Sequence, residues 1–363
     1  VANADAVNND RAVKNSGTIH YREISLCARA FGVPEKPEGM MNMKLSRIVL
    51  AVVVTGTAAV AAFTSTSASA ATAPLTRAEI AVHFDLANGQ MPENIVLEPD
   101  GAADVTFARA RQVARVDRNG VTRILATLPL PADGGVKTPV LGFPLTTGIV
   151  RTGDGTLYVL YATGTADLTG LWRLDPGRTP QRIAALPATG LPNGLALDER
   201  TNRFYITDSA LGTVWTVPLT GGTPTPWSTS ADLASTGFIG ANGAKVHGNA
   251  LWVTNLDKGT VVRIPFLAGN RAGTPQVKAT GLAGLDDFTF VGHDGEILAT
   301  LNGPNKVVRI DPNGTVSTVL DATDGLQNPT SVVVRGRDVY VLSAAYSTAT
   351  DPNLLLAHLR DGR

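Results

Sequence analysis

Six positions in this chain open a short apolar run with a polar or turn residue, and theirs are the side chains whose chemistry can converge. They are Glu93, Thr147, Asn193, Asn242, Asp286 and Thr330. Together they offer two carboxylates, two amide oxygens and two hydroxyls, with no His or Cys among them. Hard oxygen donors of this kind suit Ca²⁺, which takes roughly six to eight oxygens, better than zinc or copper. Mg²⁺, Mn²⁺ and Zn²⁺ stay open as alternatives. Four protein ligands would leave coordination places for water and a small-molecule substrate. Asn193-Gly194 and Asn242-Gly243 also read as turn pairs tolerating positive φ. What favours the metal reading is two acids and two amides falling in register across a repeat.

The elements that must position these residues are strands. The stretch Leu191 to Ser209, LPNGLALDERTNRFYITDS, reads as a Pro-Asn-Gly turn, an apolar strand, a polar turn and a second strand. The same unit returns along the chain, its openings separated by 54, 46, 49, 44 and 44 residues. That is the period of a propeller blade of four strands. The sixth unit ends after its third strand, NLLLAHL, while Glu79 to Leu86 stands unused before the first. Joined to the last blade, it would supply the fourth strand and close the ring. The expectation is an all-β, six-bladed β-propeller of four-stranded blades, closed by an N-terminal strand.

In a propeller the first strand of each blade lines the central channel, so the six openings would face one another. Loops between second and third strands would ring the same mouth. They offer Arg109, Arg111, Tyr161, Asp208, Ser209, Asn255, Asn302, Asn305 and Tyr346. Of these, Tyr161, Asp208, Asn255 and Asn302, with Thr147 and Thr330 from the ring, are the candidates for binding substrate. Each is also an ordinary loop or strand residue. His83, His247, His293 and His358 fall at no ring position, and no G-x-S-x-G motif is present.

Three stretches, LPNGLALDERTNRFYITDS, GANGAKVHGNALWVTN and GLDDFTF followed by ILATLNGPNKVVRID, resemble the regucalcin/gluconolactonase family of calcium-dependent hydrolases. The resemblance implies a Ca²⁺ in the channel, held by Glu93, Asn193, Asn242 and Asp286, with Asp286 and Glu93 as the catalytic carboxylates. Related phosphotriesterase-type propellers use a similar set. Two departures stand out. Asp287 occupies the place of the family's usual Gly, so Asp286 and Asp287 compete for the ligand role. Leu191 stands where sugar-lactonase members carry an Arg, which argues against a sugar-acid lactone. The implied function is a divalent-metal-dependent hydrolase of the lactonase or esterase type. The alternatives are a non-catalytic binding propeller with a structural Ca²⁺, or a strictosidine-synthase-like enzyme.

Composition bounds the rest. Met43 to Ala70 has a basic start, an almost uncharged apolar run and Ala68-Ser69-Ala70 at its end. That is a Sec-type secretory signal with expected cleavage before Ala71, giving a secreted protein. Residues 1–42 lie upstream of it, lack periodicity and hold the one cysteine, Cys27; they read as non-native upstream translation. Residues 71–363 then form a single propeller domain. Of 31 Lys+Arg and 31 Asp+Glu, seven and five lie before Ala71, leaving 24 against 26. That balance gives no electrostatic footprint for nucleic acid or an anionic membrane. Oligomeric state is open.

Overall fold

Six antiparallel sheets stand around one axis in the computed structural model, which describes residues 75–292 and 295–360. The expectations for residues 1–42, for the signal segment 43–70 and for His293 lie outside the described residues. Blade 1 runs Pro92–Leu97, Ala103–Phe107, Gln112–Val116 and Thr122–Thr127. The inner strands of the next five blades are Leu145–Arg151, Pro192–Asp198, Ala241–His247, Leu285–Val291 and Pro329–Arg335. Blade 4 carries one extra short strand, Arg271–Ala272, which pairs with the end of Thr260–Leu267.

The ring closes as expected. The strand Leu75–His83 pairs antiparallel with Asn353–Leu359, from Leu75 opposite Leu359 to His83 opposite Asn353. It begins and ends a few residues before the expected 79–86. An outermost strand buries one face only, so its start, Leu75-Thr76-Arg77, shows little apolar signal. Two register shifts further blur the alternation.

The core is divided among the seams. Ile95, Val105 and Phe107 of blade 1 pack with Leu342 and Leu354 of blade 6. Val113 packs with Ile149, Val159 and Trp172 across the next seam. Each seam around the ring has such a cluster. A seventh, around Leu145, Leu191 and Ile239 with Leu141, Phe143 and Leu256 beside them, sits at the channel mouth.

Hydroxyls also tie every blade to the next. In blades 1, 3, 4 and 5 a second-strand threonine donates to the carbonyl of the next ring residue: Thr106 to Thr147, Thr207 to Asn242, Thr254 to Asp286 and Thr300 to Thr330. Blades 2 and 6 have Leu160 and Leu342 at that place. There the ring threonine does the work instead: Thr147 donates to the Pro192 carbonyl and Thr330 to that of Pro92, each at 3.0 Å.

Candidate active site

Each of the six inner strands is irregular at its ring residue, with a register shift between, for example, Pro92 and Ile95 or Leu285 and Phe288. A bulge turns one side chain away from the pleat. The Asn-Gly pairs are therefore not turns. Gly194 and Gly243 lie inside strands, and a Cβ on Gly194 would stand 2.2 Å from the Asn242 carbonyl oxygen. Glycine is there because neighbouring inner strands approach too closely for a side chain.

Glu93, Asn193, Asn242 and Asp286 line one cavity of about 30 Å³, room for one or two water molecules. Asn302 and Tyr346, from second-to-third-strand loops, complete its polar side. Asp286 accepts from Asn242 Nδ2 at 2.9 Å on Oδ1 and from Asn302 Nδ2 at 3.1 Å on Oδ2. The Tyr346 hydroxyl donates to Glu93 Oε2. Asn193 Nδ2 donates to Ser209 Oγ at 3.2 Å. Burial pushes the Glu93 carboxyl up to about 7 against the Tyr346 hydrogen bond, with the nearby Asp287 charge adding to the rise. Asp286 is raised well above the usual carboxylate range by burial first, then by the charges of Glu93 and Asp287. No Lys, Arg or His is among the residues lining this cavity.

Asp287 faces elsewhere. Both its oxygens accept from Lys245 Nζ at 2.7 Å, and Oδ2 also accepts from Asn94 and Ser331. It is a buried, cation-paired carboxylate further down the channel, and Asp286 alone of the two reaches the cavity.

Of the six substrate-binding candidates, Asn302 alone lines the cavity. Thr147 and Thr330 are fully buried with their hydroxyls tying blades together. Tyr161 is fully buried too, its hydroxyl on the Pro129 carbonyl at 2.7 Å. Asp208 accepts from the backbone N–H groups of Leu191, Ala210 and Leu211 and from Trp215 Nε1. Asn255 donates to the Asp232 and Ala234 carbonyls. These side chains hold the loops of the mouth; Asp208 in particular seats Leu191.

The remaining wall is apolar: Leu141, Phe143, Leu145, Leu191, Ile239 and Leu256. Sequence reasoning passed over this collar. Its one available signal is that Leu145 and Leu191 each stand two residues before a ring residue and Ile239 three before another.

The four expected ligands can be tested against a cation by the donors present. Among the described residues no three His, Cys, Asp or Glu side chains converge, so a thiolate- or imidazole-loving metal finds no site. Two carboxylates and three asparagine side chains do line one cavity, and one of the amide oxygens, Asn302 Oδ1, is buried without a partner. An oxygen-loving divalent cation fits this set.

No protein-family model matches the sequence, and no curated protein matches it. Solved structures do match the fold. Regucalcin, a calcium-binding protein from Agrobacterium tumefaciens, is 16% identical with a TM-score of 0.56, over 76% of this chain and 92% of that one. A gluconolactonase from Xanthomonas campestris is 14% identical with a TM-score of 0.56, over 79% and 96%. An auxiliary nutrient-binding protein from Bacteroides thetaiotaomicron is 10% identical with a TM-score of 0.60, over 78% and 76%. At these identities the likeness is one of architecture. This chain is a six-bladed β-propeller similar in structure to regucalcin and gluconolactonase.

Proposed function

We propose that this chain is an exported, calcium-dependent hydrolase of lactones or related esters, working at the mouth of the channel. The observation that carries the reading is the pair of buried carboxylates, Glu93 and Asp286, meeting asparagine side chains in a cavity with no protein cation on its walls. Like charges so placed repel in an empty channel and favour a divalent guest. Glu93, Asn193, Asn242 and Asp286 would hold it, with Asn302 Oδ1 as a further donor. When bound, the cation supplies positive charge that polarises the carbonyl oxygen of an ester.

The chain's own groups do the rest. Asp286 accepts the proton of the attacking water as that oxygen bonds to the acyl carbon. The ring or ester C–O bond then breaks, and the departing oxygen takes the proton, giving the hydroxy acid or the acid and alcohol. Tyr346 holds the Glu93 carboxylate from one side, and the amides of Asn242 and Asn302 orient Asp286. The apolar collar keeps bulk water from the reacting bond. A second reading, a binding propeller whose cation is structural, is favoured by the small size of the cavity. A panel of lactones, aryl esters and organophosphates, assayed with and without chelator, decides. Chelator-sensitive hydrolysis supports the enzyme; calcium binding with no hydrolysis of any substrate supports the binding protein.

A further inference from the structure

The cavity has two unlike halves. Its polar groups are Glu93, Asn193, Asn242, Asp286, Asn302 and the Tyr346 hydroxyl, while Leu141, Phe143, Leu145, Leu191, Ile239 and Leu256 form an apolar collar against which the Tyr346 ring also packs. A polyol chain passing that collar would bury hydroxyls with nothing to bond, which is unfavourable for each one. An alkyl chain would meet only carbon. Resting on the hydrolase reading above, we infer that the site takes lactones or esters bearing an unbranched apolar chain, rather than polyhydroxylated ones.

The route of entry points the same way. About 30 Å³ admits no lactone, so the collar must part. Leu141 and Phe143 belong to residues 128–144, the longest connection between blades, joining Thr122–Thr127 to Leu145–Arg151. This segment leaves Leu130, Val136 and Val140 exposed at 56%, 68% and 47%. It also holds Val140 at φ 66°, left-handed backbone that a β-branched residue disfavours. Gly134, Gly135 and Gly142 have positive φ as well. A strained, glycine-rich strap with Leu141 and Phe143 on the cavity and Leu130, Val136 and Val140 exposed presents carbon to an entering chain at five positions, with the Asp133–Lys137 ion pair among them.

The test is a series of γ-lactones with lengthening alkyl chains, compared with glucono-δ-lactone, in calcium chloride. At about 0.8 kcal/mol per buried methylene, kcat/KM should rise about fourfold per added CH₂ until the chain clears the collar. Phe143→Ala should flatten that slope while leaving the shortest lactone least affected, with its melting temperature recorded as a folding control. Turnover of glucono-δ-lactone equal to or above that of the alkyl lactones would overturn the inference and leave the hydrolase reading standing. If no lactone or ester is hydrolysed, the hydrolase reading falls and binding decides. Octanoate should then raise the melting temperature more than gluconate does at equal concentration. An equal or larger shift with gluconate, or none with either, would overturn the inference.

Discussion

Asp286 and Asp287 are adjacent in sequence and opposite in surroundings, and that contrast makes a sharp prediction. Asp286→Asn keeps an oxygen at the cavity but loses the carboxylate proposed to accept a proton. Calorimetric calcium binding should survive with turnover down by roughly 10²-fold or more. Asp287→Asn instead weakens the bond to Lys245, whose ammonium then lacks its charged partner. It should reduce stability by about 2 kcal/mol, in the range of a charge-assisted hydrogen bond, while kcat changes little. Denaturant unfolding and hydrolysis measured on both variants separate the two roles; a dead but stable Asp287→Asn enzyme would exchange them.

Glu93 adds a pH dependence. Its carboxyl is raised from 4.5 to about 7, chiefly by burial. Below about 4.5 both folded and unfolded chains hold the proton. As pH rises toward 7 the unfolded chain releases it first, so the folded state loses stability across that window and levels off above it. Asp286 is shifted in the same direction. In chelator, the melting temperature should fall between about pH 5 and 7.5, and calcium should restore it most at the upper end. A melting temperature in chelator that climbs through this window would contradict the assignment of buried, unpaired carboxylates.

At the scale of elements, the closing strand Leu75–His83 covers the open edge of Asn353–Leu359. Deleting it should expose that edge and give aggregation or a large loss of melting temperature. Light scattering and thermal unfolding check this, and a monomer with unchanged melting would overturn the closure scheme. The strand was legible as a leftover apolar alternation, but its bounds were not, because its outer face carries Arg77 and Glu79 as a loop would. The inner strands were far easier to find, since Leu195, Ala196 and their counterparts repeat at blade spacing. The candidate ligands followed from the same register. What could not be read was the purpose of Thr147 and Thr330. Whether a hydroxyl enters a site or bonds a neighbouring carbonyl depends on a backbone brought close only by the closed ring. The collar was hidden for a related reason: Leu141, Phe143 and Ile239 sit in connections that follow no period.

At the scale of the whole molecule, six seams share one rule: each blade gives one threonine hydroxyl to the next, from the second strand or from the ring, but not from both. The four blades that anchor from the second strand are the four whose ring positions hold Glu93, Asn193, Asn242 and Asp286. Anchoring and lining the cavity thus compete for one position per blade, and the competition can be re-set by moving a hydroxyl. Thr147→Asn alone should loosen the seam to blade 3, and Leu160→Thr alone should leave a hydroxyl poorly used in the core. Combined, they copy the arrangement of blade 3 into blade 2, and the pair should lose less stability than the two single changes added together, by about 1 kcal/mol in a double-mutant cycle. Such a variant would carry an oxygen donor at a fifth ring position with every seam still fastened, making the capacity of this propeller a quantity that can be rewired one blade at a time.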